Sequence, residues 1–190
     1  DPKIRARYVK GLGEQLLLAR RLTAAGCGFV NVSYGGWDMH GGNMGMGNAF
    51  GNGSYGMGFC LPRLDQALAG LLSDLKERGM LEDTLVVFAT EFGRGPFQPA
   101  PGVNGRGHHS RVYSSWLAGA GVKRGMVHGA SDELGAHPAE REVSIGDLFA
   151  TVYKAMGIDW TKEYMTPVGR PIKIANSFDD TTGQPLKELI

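Results

Sequence analysis

Three short stretches of this chain hold most of its metal-binding and acid–base chemistry. They are Trp37-Asp38-Met39-His40, Glu91-Phe92-Gly93-Arg94 and Gly105-Arg106-Gly107-His108-His109. They stand far apart in sequence, each in a loop rich in glycine. Asp38 and His40, one residue apart, can reach one metal ion or two neighbouring ones. Glu91 begins where an apolar run ends, so it serves either as a ligand or as a cap for the next turn. Arg94 offers a planar fork for a tetrahedral anion, or an ordinary surface ion pair. Adjacent histidines supply neutral nitrogen donors and titrate near pH ~6.5. Neighbouring loop side chains diverge, so one histidine ligates and the other orients or moves a proton. A buried cluster of acids and imidazoles is costly to leave unpaired, and a divalent cation removes that cost. Mixed carboxylate and imidazole donors suit Zn, Mn or Fe, and Ca or Mg less well. His128 and His137 sit in plainer sequence and are read as non-ligands.

Elements with a clear period must position these loops. Gly13 to Ala25 repeats Leu and Ala near the 3.6 period, with Arg20 and Arg21 outward, and predicts a helix ended by Gly26. Gly28 to Ser33 predicts a central strand. Pro62 to Gly79 predicts a second helix with Pro62 in its first turn. Leu64, Ala67, Leu68, Leu71, Leu72 and Leu75 form its stripe, and Asp65, Asp74, Lys76, Glu77 and Arg78 cover the rest. Leu85 to Ala89 reads as a strand buried on both faces. Strand, helix, strand in that order implies parallel strands and a right-handed crossover. The first two motifs then arrive at one carboxyl edge, where open α/β sheets collect ligands. Val112 to Ala118 predicts a third strand and Met126 to His128 a short one. Ser144 to Met156 predicts a helix, with Ser144 as N-cap and Asp147 three residues on. From Trp160 to Ile190 the chain reads as loops and short strands. The resulting expectation is a single α/β domain over residues 1–190, with a mostly parallel sheet and helices on both faces.

The totals are those of a globular chain. It has 190 residues, 42% hydrophobic and 21% charged, with a net charge of +1. No strong field points to nucleic acid or an anionic membrane. No apolar run approaches the roughly 18–20 residues of a membrane span. Asp1 to Lys10 shows no export-signal pattern, and without an initiator Met the chain reads as a processed or incomplete piece. Cys27 and Cys60 give no disulfide framework, and Cys27 reads as a small buried hydrophobe. Gly41 to Gly58 reads as a long flexible loop, either an inert insertion or a lid or partner surface.

Gly35-Gly36-Trp37-Asp38-Met39-His40, Leu61-Pro62-Arg63-Leu64-Asp65-Gln66-Ala67-Leu68 and the Glu91 and Gly105 stretches together resemble one family. Gly129-Ala130-Ser131-Asp132-Glu133-Leu134-Gly135 and Gly169-Arg170-Pro171 fit it too. It is the bacterial domain-of-unknown-function 1501 family, a sulfatase-like branch of the alkaline phosphatase superfamily. The resemblance spans nearly the whole chain, with the motifs in the family's order. It implies an alkaline-phosphatase/sulfatase-like α/β fold with a divalent metal centre that hydrolyses small phosphate or sulfate esters. Asp38, His40, Glu91 and His108 match metal ligands in that pattern; Arg94 and Arg106 would hold the anion, and His109 would act as general acid or base.

The resemblance also implies what is missing. The superfamily's nucleophile and first acidic ligand lie in an N-terminal half, and this chain begins after it. Ser110 stands as a weak substitute, with metal-activated water the alternative. Either a partner chain then completes the sheet, or the piece folds as a reduced domain. Gly107 stands where the family usually has Asp. Members of the family are often exported to the periplasm. The competing expectation is a non-catalytic metal-binding or structural module that keeps the fold.

Overall fold

The structure, a computed structural model, describes residues 2–35, 37, 57–97, 105–176 and 180–190. The predicted loop at 41–58 lies outside the described residues except for its last two, which open a helix. The chain divides into two compact units: residues 1–82 with 94–109, and residues 83–93 with 110–190.

The first unit is helical. A short turn of helix, α1 (Pro2–Arg5), leads to α2 (Leu12–Ala24), and α3 (Met57–Glu77) packs against α2. Gly11 adopts a positive φ of 84°, and its N–H is met by the Glu14 carboxylate at 3.2 Å, half of a capping box. Leu12 and Leu16 of α2 and Ala67, Leu71 and Leu75 of α3 are buried apolar residues of this helix pair. Close approach fixes the N-terminal segment: a Cβ on Gly13 would lie 2.9 Å from the Tyr8 carbonyl carbon, and one on Gly70 2.8 Å from the Arg7 oxygen. α3 begins five residues before Pro62, so that proline is inside the helix rather than in its first turn. It leaves one helical acceptor without its usual donor.

The second unit is built on short strand pairs and one helix. β1 (Val86–Phe88) pairs with β4 (Trp116–Ala118), and Phe88 stacks on Trp116 at 5.5 Å. β5 (Ala130–Ser131) pairs with β6 (Pro138–Glu140), and β7 (Glu163–Met165) with β8 (Pro171–Lys173). All three pairs are antiparallel. α4 (Ile145–Ala155) carries the full capping box that its sequence predicts. Ser144 Oγ accepts the Asp147 N–H at 3.1 Å, and the Asp147 carboxylate accepts the Ser144 N–H at 2.9 Å.

The mostly parallel sheet with helices on both faces, in the alkaline-phosphatase/sulfatase manner, is therefore not the fold. Each sheet among the described residues has two strands. Gly28 to Ser33 forms no strand, and Phe29 within it is 70% exposed. Without that first strand, the strand–helix–strand crossover has no starting point. Leu85 to Ala89 yields a three-residue strand whose Val87 is 40% exposed. A parallel strand needs covered neighbours on both faces, whereas an antiparallel pair tolerates one wet face. Met126 to His128 is not a strand either.

Candidate functional site

Arg94 and the paired histidines belong to the first unit. β2 (Gly93–Arg94) forms a two-stranded sheet with β3 (His108–His109). The Gly95 N–H donates to the Gly107 carbonyl at 3.0 Å and extends the pairing. Arg94 then reaches two further backbone oxygens. Its Nη2 donates to the Trp37 carbonyl at 2.7 Å and its Nη1 to the Arg106 carbonyl at 3.3 Å. One guanidinium thus ties the chain just before Asp38 to the loop just before the paired histidines. Arg106 is exposed, and its Nη1 donates to the Gly105 carbonyl at 3.0 Å. His108 is exposed and His109 half-buried.

Trp37 is held from its other side. Its Nε1 donates to the Tyr34 carbonyl at 3.0 Å, and the two rings meet edge-on at 5.9 Å. Near the start of α3, Arg63 lies 3.5 Å above the Phe59 ring and donates to the Phe59 carbonyl. Burial pushes up both the Tyr34 hydroxyl and the Cys60 thiol. Cys60 is buried and Cys27 is exposed, with its Sγ bonded to the Phe29 carbonyl. Cys27 is thus not the buried hydrophobe that its neighbours predicted. Neither cysteine is in a disulfide.

The sequence-derived site residues fall into three groups. Arg94, Arg106, His108 and His109 belong to the first unit together with Trp37. Glu91 belongs to the second unit and is exposed. Asp38 and His40 lie outside the described residues. Among the described residues, no three His, Cys, Asp or Glu side chains are grouped to hold a metal ion. Among them also, no helix is long and apolar enough to cross a membrane. His137 Nδ1 lies 3.1 Å from Arg111 and His128 Nδ1 3.5 Å from Glu188, and all four residues belong to the second unit.

One buried carboxylate escaped the sequence reading, which had placed it on the outer face of its helix. Asp74 is 1% exposed and accepts from Arg20 Nε at 2.8 Å, Arg78 Nε at 2.7 Å and the Tyr8 hydroxyl at 3.1 Å. Burial alone would raise its pKa. The bonds from Arg78 and Tyr8 and the charges of Arg20 and Arg78 overturn that, and the value falls below the usual carboxylate range. Burial first, and Asp74 second, push the Tyr8 hydroxyl up to about 12. The signal was available: Ala67, Leu71 and Asp74 share one helix face, and Arg78 stands four residues on. Asp147 in the second unit accepts from Ser144 and from the Gln184 N–H at 2.7 Å.

A comparison with known families finds one match. The DUF1501 family, described as "Protein of unknown function", matches residues 3–190. No curated protein and no solved structure matches the chain.

Proposed function

The chain belongs to the DUF1501 family, and on that premise we propose that it is a metal-dependent hydrolase acting on phosphate or sulfate esters. One observation carries the reading. Arg94 donates at once to the carbonyls of Trp37 and Arg106. That bond pair draws together the segment entering Asp38 and His40 and the loop holding Arg106, His108 and His109.

In this reading Asp38, His40, Glu91 and His108 hold a divalent ion, Zn or Mn before Ca or Mg by donor type. The ion supplies charge that polarises the ester oxygen and acidifies a hydroxyl or water. Arg94 and Arg106 orient the anion, and His109 gives or takes the proton. Ser110, exposed beside His109, is the nearest hydroxyl in sequence. Of the four ligands, His108 is the one that the described bond network supports. Kinship with the sulfatase-like branch rests on the order of the motifs alone, since the antiparallel strand pairs lend it nothing.

A second reading is a non-catalytic metal-binding or interaction module. Gly107 favours it. Where the family usually carries a carboxylate, this chain has a glycine whose carbonyl accepts the Gly95 N–H.

Metal content by mass spectrometry, with turnover of an aryl phosphate and an aryl sulfate by the purified chain, separates the two. The hydrolase reading expects bound metal and turnover. Asp38→Ala should then lower kcat/KM about a hundredfold or more, together with metal occupancy. Metal without turnover supports the second reading. Neither metal nor turnover sinks both.

A further inference from the structure

A groove of about 810 Å³ in the first unit stands apart from that chemistry. It is walled by α1, by one face of α2 and by Arg78 just past α3. We propose that this groove binds an acidic, leucine-bearing peptide segment of a partner protein.

Charge is the first argument. Arg5, Arg20, Arg21 and Arg78 all line the groove, against one lining acid, Glu14, and the buried Asp74 behind it. Four cations less two carboxylates leave a net charge of +2. Arg20 and Arg78 are held in place, because each bonds Asp74 through Nε. Their guanidinium groups are therefore set before any ligand arrives, which lowers the ordering cost of binding. Glu14 is turned to the Gly11 N–H at the start of α2. Arg5 and Arg21 are exposed, placed where a rim charge steers an oppositely charged segment.

Apolar surface is the second argument. Leu17 and Leu18 line the same groove; Leu18 is 55% exposed, and Leu22 one turn on is 42% exposed. A free inorganic anion would satisfy the arginines and leave the leucines wet. A peptide carrying carboxylates around an aliphatic side chain satisfies both. From Glu14 to Arg21 the helix rises about 10 Å, enough for roughly three extended residues.

The test uses the full chain and a fluorescent pentapeptide alternating glutamate and leucine, followed by anisotropy at low salt. Saturable binding is expected, weakened about tenfold in the double variant Arg5→Ala with Arg21→Ala, and weakened as salt rises. Leu18→Gln, on the apolar side, should weaken it as well. Circular dichroism checks that these surface variants keep their helices. The proposal is overturned if millimolar peptide fails to saturate, or if both variants bind as the parent does. It is equally overturned if inorganic phosphate displaces the peptide at equal concentration, or if phosphatidylserine vesicles bind and the peptide does not.

Discussion

Each unit of this chain is anchored by an aspartate, and the two are held by different kinds of partner. Asp74 in the first unit meets two arginines and a phenol. Asp147 in the second accepts its hydrogen bonds from neutral donors, the Ser144 N–H and hydroxyl and the Gln184 N–H, and the charge of His128 adds a smaller pull. Burial pushes both carboxyls up, and in both the hydrogen bonds win and the pKa falls. A depressed carboxyl therefore does not reveal its partners. The difference lies in what each anchor holds. Asp74 gathers side chains from α2, from just past α3 and from the segment before α2, so its loss strands two cations. Asp147 gathers backbone, closing the first turn of α4 and pinning the tail at Gln184. Thr151 adds a second pin, accepting the Leu186 N–H at 2.9 Å.

The sharpest way to break this contrast is to remove both carboxylates in turn. Asp74→Ala should cost the first unit about 3–5 kcal/mol, because it leaves buried charge unpaired. Urea unfolding followed by hydrogen exchange resolves the units, and a loss no greater than that of Asp147→Ala would end the distinction.

Next comes alkali. The Tyr8 hydroxyl is raised from 10 to about 12, so folding favours its protonated form. Its stabilisation is fully present below about pH 10 and is lost as pH rises from there towards 12. Two units correspond to about 2–3 kcal/mol. Tyr8→Phe should flatten that alkaline limb, which a pH series of melts reads directly.

Asp147→Ala should cost about 1–3 kcal/mol, through a lost cap and unpaired backbone donors. Faster exchange at the Gln184 amide would localise the loss. Both aspartates, being depressed, contribute above their unfolded pKa near ~4 and lose that contribution as pH falls through the folded values.

The smallest effect belongs to the surface. Arg7 and Glu77 pair at 2.6 Å, both well exposed. Glu77→Ala should shift stability less than any of the variants above, and less still in high salt, as melts at two salt concentrations read directly.

What the sequence made legible was local. The expected helices at Gly13–Ala25 and Ser144–Met156 match Leu12–Ala24 and Ile145–Ala155 within a residue at each end. Their signals, a 3.6 period and a serine cap, act over one or two turns. The sheet was not legible, because pairing is decided by partners far along the chain. Val86 meets Ala118 and Phe88 meets Trp116 in an antiparallel register that no local pattern encodes. Residue type also misled. Arg20 and Asp74 were placed on the surface as charged residues, yet each satisfies the other in the interior. At the candidate site the motifs were legible and their tie was not. Arg94 grips the carbonyl of Trp37, an acceptor that every residue carries and no residue type announces.

The order in which the units share the backbone has a consequence for biosynthesis. Residues 1–82 emerge from the ribosome before residues 94–109, which complete the unit that they build, and the eleven residues between, 83–93, belong elsewhere. The helices can dock early, but the loops bearing Arg94 and the histidines must wait for foreign sequence to pass. A fragment ending at residue 93 would carry every residue of the Asp74 hub and lack Arg106 and both histidines of the paired loop.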